Sequence, residues 1–213
     1  MRCMKTNRKP AVSAAVGFIL FAAISYFVMT RDVLTFDIVV RELVYGLRSE
    51  PLTALMIMIT YLGNWQTILL ICITLLLFPR TRISYGLPAS AAALAASMIL
   101  RMLKALFHRA RPDLALHLIT QGGYSYPSGH SFTVLIFYGM LIFLCRRKMK
   151  NKNAANLATV LLSCLVLLIG ISRIYLGVHY PTDVLGGWSI GLCMLMIMIS
   201  CILIIAPGGD DAK

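Results

Sequence analysis

Six apolar runs separated by short polar turns organise this chain, at roughly residues 11–29, 53–78, 84–107, 131–145, 154–171 and 184–206. A helix that crosses a bilayer needs about 20 such residues. The pattern therefore predicts an all-α, polytopic membrane protein with six transmembrane helices, the fourth short at its cytoplasmic end. Gly63, Asn64 and Trp65 interrupt the second run, so five spans plus an interfacial helix is the alternative. Between the first two runs, Val33 to Pro51 mixes charged and apolar residues (FDIVVRELVYGL) at helical spacing. That predicts an amphipathic segment lying on the membrane interface. The third run carries Ala89, Ser90, Ala91, Ala92, Ala93, Ala95, Ala96 and Ser97, small residues that let neighbouring helices approach closely. No repeat, low-complexity tract or linker divides residues 1–213, which are expected to form a single membrane-embedded domain.

Composition strengthens the membrane reading: 59% of residues are hydrophobic and 13% charged. The mean hydropathy is +0.82. A net charge of +12 raises nucleic acid as a partner, but its distribution argues against that. With the N-terminus placed inside, 12 of the 20 Lys and Arg residues fall in inner segments and 8 outside, the asymmetry that topology requires. Both termini are then cytoplasmic, in a multi-pass cell-membrane protein. The tract Arg146 to Lys152 reads as a cytoplasmic anchor near anionic headgroups. The first run, about 11–29, follows a basic start and lacks a small-residue cleavage site before Thr30-Arg31-Asp32, so it reads as an uncleaved signal anchor. Cys3, Cys72, Cys145, Cys164, Cys193 and Cys201 lie in spans or toward the inside, which implies packing and no disulfide framework. No His/Cys pattern indicates a metal, and no cofactor is expected.

Charge near lipid is expensive and marks function. Three clusters stand out, all predicted at the extracytoplasmic ends of spans three to six. In the first (KALFHRARP), Lys104 lies near the end of span three with Arg111 seven residues on. Pro112 disfavours helix at Arg111, which predicts a helix end near residue 110. The structural alternative is a Lys and an Arg snorkelling to headgroups. His108 and Arg109 read as exposed interfacial residues, His108 with a possible secondary role at the site. Asp113 reads as a loop carboxylate pairing an arginine.

The second cluster is Pro127-Ser128-Gly129-His130 before span four. Ser128 is a plausible N-cap, and Gly129 lets the backbone approach a ligand. The free N–H groups of a helix start suit an anion, and His130 can move a proton near neutrality. The alternative is a turn that only caps the span. Tyr124 and Tyr126 read as interfacial belt residues. In the third cluster, Arg173 ends span five, and His179 and Asp183 follow at a four-residue spacing. Pro181 fits the first turn of span six. A carboxylate at that spacing can accept the His179 Nδ1–H and leave Nε2 as an oriented nucleophile. Arg173 suits phosphate oxygens, and Ser172 supports the loop or contacts phosphate. A structural His–Asp cap is the alternative.

Taken in order, the three clusters resemble the type 2 phosphatidic acid phosphatase superfamily, whose signature is K-x6-RP, then PSGH, then SR-x5-H-x3-D. Residues 104–183 carry it without departure: Lys104…Arg111-Pro112, Pro127-Ser128-Gly129-His130, and Ser172-Arg173…His179…Asp183. The look is that of bacterial six-span lipid phosphatases of the phosphatidylglycerophosphatase B type. The resemblance implies that Lys104, Arg111, Arg173 and N–H groups at Ser128 and Gly129 hold the phosphoryl oxygens. His179, oriented by Asp183, attacks phosphorus to form a phosphohistidine, and His130 protonates the leaving oxygen. It also implies a metal-independent hydrolysis of a lipid phosphate or diphosphate. Phosphatidylglycerophosphate, undecaprenyl diphosphate, phosphatidate and diacylglycerol diphosphate present the same terminal group, and the residues do not choose among them. A transporter of anionic lipid or phosphate, and a lipid-to-lipid phosphotransferase, remain as alternatives.

Overall fold

A computed structural model describes residues 8–205. Helix α1 (Arg8–Arg31), α2 (Thr35–Tyr45), α3 (Glu50–Tyr61) and α4 (Trp65–Leu77) come first. A short turn of helix, α5 (Pro79–Thr81), and a π-helical segment, Arg82–Gly86, lead directly into α6 (Leu87–Phe107). The chain ends in α7 (Gly129–Lys148), α8 (Lys152–Tyr175) and α9 (Pro181–Ile205). Five helical stretches are long and apolar enough to cross a membrane: α1, Pro79–Phe107, α7, α8 and α9. The pair α3–α4 passes the same test jointly but bends by 47° at its break, at the interruption read from Gly63, Asn64 and Trp65. The fourth span is not short. α7 runs 20 residues and carries Arg146, Arg147 and Lys148 in its last turn, because Asn151 starts the next helix with its side chain accepting the Ala154 N–H. Cys3, Arg2, Lys5 and Lys213 lie outside the described residues.

α7 is the central helix, packed on α6, α8 and α9, while α1 runs along α9 and α3 along α8. Small residues permit these contacts. Ala89, Ala92 and Ala96 of α6 are buried in the core. A Cβ added at Gly17 would meet the Ser189 carbonyl oxygen at 2.7 Å, so α1 and α9 touch backbone to backbone. One core cluster includes Phe21, Val28, Phe132, Ile136 and Met140. Another gathers Ile68, Phe137, Tyr138, Val166 and Ile169. Cys72 and Cys193 are buried, while Cys164 and Cys201 face outward, all as free thiols. The interfacial segment resolves into α2 and the start of α3, and α2 packs against α8 and α9. It is more than a surface float, because Asp37 on it is fully buried.

Candidate active site

The three motif clusters meet at one end of the bundle. α6 stops at Phe107, three residues before the expected end: His108 turns into the left-handed region with φ 50° and its N–H closes on the Lys104 carbonyl. Such a turn is costly for a residue with a Cβ. It redirects the chain so that Arg109 and Arg111 run away from the helix axis. The exposed His108 ring sits edge-on to Tyr124, 4.5 Å between centroids, and lies outside the central cavity. Lys104 Nζ donates to the Tyr124 carbonyl. Arg111 donates from Nε to Gly123 O at 2.9 Å, from Nη2 to Gly122 O at 2.9 Å, and from Nη1 to Val178 O at 2.7 Å.

Ser128 caps α7, its Oγ accepting from the Ser131 hydroxyl and N–H. The residue is fully buried, and its own N–H donates to the Asp183 carbonyl at 2.9 Å. Ser128 therefore holds the third cluster against the second, and its N–H is not free for an anion. Gly129 and His130 do border the cavity, and their first-turn N–H groups have no intrahelical acceptor. The Nε2 of His130 pairs with Asn64 Oδ1 at 2.8 Å, which ties the ring to the break between α3 and α4.

Ser172 is buried on α8 and returns its hydroxyl proton to the Ile169 carbonyl at 2.7 Å, while its own carbonyl accepts the Leu176 N–H at 2.9 Å where the loop begins; it is not among the residues that line the cavity. Arg173 is 1% exposed and donates to Thr60 Oγ1 at 2.8 Å and to Gln121 Oε1. It stands one layer back, and Gln121 is the residue that faces the cavity. The turn from α8 to His179 needs Gly177. Its φ is +80°, and a Cβ there would meet the Leu116 carbonyl oxygen at 2.1 Å, which only glycine tolerates.

His179 Nε2 lies 3.1 Å from Arg111 Nη1. Arginine can only donate, so Nε2 carries the lone pair and Nδ1 the hydrogen. That hydrogen faces Asp183 Oδ2 at 3.3 Å. Asp183 also accepts Ser125 Oγ–H at 2.5 Å, the Tyr180 N–H at 2.8 Å and Arg109 Nη1 at 2.6 Å. Burial, and after it the charges of Arg111, Arg173 and Lys104, hold the His179 ring well below its ordinary pKa, so it is neutral at pH 7. Burial pushes the Arg111 guanidinium down to about 10, against the pull of Asp183, and it remains a cation.

A cavity of about 300 Å³ joins these groups, lined at its polar end by Lys104, Arg111, Gln121, Gly129, His130 and His179. Trp65, Ile68 and Leu100 supply an apolar wall. No group of three or more His, Cys, Asp or Glu stands in position to hold a metal among the described residues.

Several site residues escaped the sequence. Arg109, read there as interfacial, is 4% exposed and bridges Asp183 and Asp37. Among the described residues Asp113 pairs no arginine; it caps a short turn by accepting the Ala115 N–H at 3.0 Å. Tyr126 is no belt residue but is fully buried, 4.9 Å from the Phe107 ring and bonded to Ser25 at 2.9 Å; the Tyr126–Pro127 peptide is cis. Ser125 and Gln121 gave no signal in the sequence, and Asn64 showed only as part of the break in the second run. Asp37 did, as a lone acid between Phe36 and Ile38.

This arrangement has relatives. A family profile described as the PAP2 superfamily matches residues 85–204. Phosphatidylglycerophosphatase B of Bacillus subtilis (strain 168) is 36% identical over 99 residues, covering 46% of this chain and 48% of that protein. The chain thus aligns with about half the length of that relative. A lipid A 1-phosphatase of Rhizobium etli is 28% identical over 176 residues, covering 66% of this chain and 70% of the relative. In three dimensions the chain superposes on the crystal structure of the first transmembrane PAP2 type phosphatidylglycerolphosphate phosphatase from Bacillus subtilis. The TM-score is 0.80 at 27% identity, over 93% of this chain and 98% of that one. The profile spans more than half of the 213 residues and the fold agrees over 93% of the chain, so this helical membrane protein belongs to the PAP2 superfamily.

Proposed function

We propose that the chain is a membrane lipid phosphatase that removes a terminal phosphate from a lipid phosphate or diphosphate through a phosphohistidine on His179. The observation that carries this is the His179 ring itself. Its neutral Nε2 lone pair faces Arg111 at the border of a cationic cavity, and its Nδ1–H is backed by a buried carboxylate. Simple anion binding has no use for an oriented lone pair. Lys104 and Arg111, with the N–H groups of Gly129 and His130, grip the phosphoryl oxygens, and Arg173 supports them through Gln121. Stabilising charge on those oxygens is most of phosphoryl-transfer catalysis.

Nε2 attacks phosphorus and forms the P–N bond. The bond to the lipid oxygen breaks, its electron pair staying on that oxygen, which takes a proton from His130. Water then attacks the phosphohistidine, yields its proton to His130, and inorganic phosphate leaves with His179 restored. General acid help of this kind is typically worth about 10²–10⁴-fold. The cations supply the neutralisation that Mg²⁺ gives elsewhere, so activity is expected to persist in a chelator. The wall of Trp65, Ile68 and Leu100 suits an acyl or prenyl chain beside the phosphate. The relatives make phosphatidylglycerophosphate the first substrate to try and lipid A 1-phosphate the second. The cavity is assigned to the outer face because the excess of Lys and Arg lies at the other.

The deciding experiment follows phosphate release from phosphatidylglycerophosphate, phosphatidate, undecaprenyl diphosphate and lipid A 1-phosphate by purified protein, with and without an acceptor lipid. Turnover by the wild type and none by His179→Ala is expected. Activity surviving in that variant removes the covalent route. Phosphate moved only to the acceptor makes the chain a phosphotransferase, and no chemistry on any substrate favours a transporter.

A further inference from the structure

Behind His179, away from the cavity, Asp183 belongs to a layer of charge whose other members the reaction scheme does not use. Arg109, its side chain 1% exposed, is shared between two fully buried carboxylates. Nη1 donates to Asp183 Oδ1 at 2.6 Å, and Nη2 donates to Asp37 Oδ2 at 2.9 Å. The Tyr180 ring lies 4.3 Å from the guanidinium. Asp37 comes from α2, well outside the family-matched residues 85–204. It is held from both sides, Oδ1 accepting the Thr182 N–H and Oδ2 the Thr182 hydroxyl, each at 2.8 Å. Thr182 is the neighbour of Asp183, so Asp37 reaches the start of α9 as well as the arginine.

One cation against two buried anions, with the exposed Asp32 carboxylate also 3.7 Å from Arg109 Nε, leaves this layer net negative. With Asp183 alone, Arg109 would cancel it. The opposite side of His179 is positive, faced by Lys104, Arg111 and Arg173. When Nε2 bonds to phosphorus while Nδ1 keeps its hydrogen, the ring becomes cationic. An uncancelled negative charge behind it favours that state, and in a buried setting it does so strongly. We propose that Asp37 is a positioning residue of the phosphoryl transfer: by sharing Arg109 it orients Asp183 and keeps the layer behind His179 net negative. This rests on His179 being the nucleophile.

The test is single-turnover phosphohistidine formation by the full chain in detergent, from phosphatidylglycerophosphate and phosphatidate labelled in the terminal phosphate. Wild type, Asp37→Asn and Asp37→Glu are compared, with inhibition by inorganic phosphate measured alongside. Asp37→Asn is expected to slow formation by about tenfold or more. Its phosphate inhibition constant stays within about threefold, because the cavity cations are untouched. Asp37→Glu keeps the charge and stays within about threefold of the wild-type rate. Wild-type rates in Asp37→Asn, equal impairment of both variants, or a parallel loss of rate and phosphate affinity overturns the proposal. Should Asp37→Asn not fold, Asp37→Glu decides alone: near-wild-type rates support it and a loss of about tenfold or more overturns it. No phosphohistidine in the wild type overturns the nucleophile reading itself, and this inference with it.

Discussion

Arg109 and Arg111 stand two residues apart and do opposite things. Arg109 is sealed in the protein with its fork on carboxylates, while Arg111 is half-buried at the cavity with its fork on main-chain carbonyls. A carboxylate satisfies a guanidinium and cancels its charge. A carbonyl satisfies the same hydrogens and leaves the charge in place. Arg111 therefore still offers a full positive field to the cavity, whereas the charge of Arg109 is taken up by Asp183 and Asp37. His179 sits between them, which is why its two nitrogens have distinct roles. An arginine near an active site is thus assigned by what it is bonded to.

The largest effect tests the ring between the two arginines. His179→Ala is expected to lower phosphate release by at least about 10³-fold, the scale seen when a covalent nucleophile is removed. Arg109→Met would break the buried side. It leaves Asp183 and Asp37 without their cation, and breaking such a pair costs about 3–5 kcal/mol, read as a fall in the midpoint of denaturant unfolding in detergent. Arg111→Lys should instead leave the fold intact and lower kcat/KM by about 10–100-fold, since a single ammonium cannot reproduce the fork. If Arg109→Met and Arg111→Lys give the same profile of stability and turnover, the comparison fails.

The pH dependence sharpens it further. The His179 pKa is lowered by burial and by the cations on the Arg111 side, so the acid limb of single-turnover phosphohistidine formation should lie below pH 6.5. The same shift means that the unfolded chain binds a proton at His179 that the folded one refuses. Stability is then fully present above pH 6.5 and falls as pH drops toward the lowered value; histidine NMR signals assigned with His179→Ala check the titration directly. The smallest effect belongs to Tyr126→Phe, which removes only the bond to Ser25. A loss of about 1 kcal/mol in stability is expected, with kcat within about twofold of wild type.

Much of this was legible in the residues. The apolar runs located the long helices because a lipid environment demands length and hydrophobicity from each segment by itself. Gly63 and Asn64 announced the break between α3 and α4, Ser128 the start of α7, and Pro181 the start of α9. Boundaries set by local chemistry were read well. The end of α6 was not, because His108 adopts a left-handed turn that an alternative residue type would have signalled. Arg109 was misread for a different reason: a basic residue at a helix end is usually solvated, and only its two buried partners say otherwise. Ser128 and Ser172 matched their motif, yet their polar groups are used on the protein itself.

By itself the sequence determined the helical membrane class, the order of the three motifs, and the residue types needed for phosphoryl chemistry, since each follows from local hydropathy and spacing. The tertiary structure alone decided which of two neighbouring arginines faces the cavity, that Arg173 sits behind Gln121, and that Asp37 from the second helix joins Asp183 through Arg109. Those are questions of what surrounds a charge once water is excluded, and contacts between residues distant along the chain are written only in the packed fold.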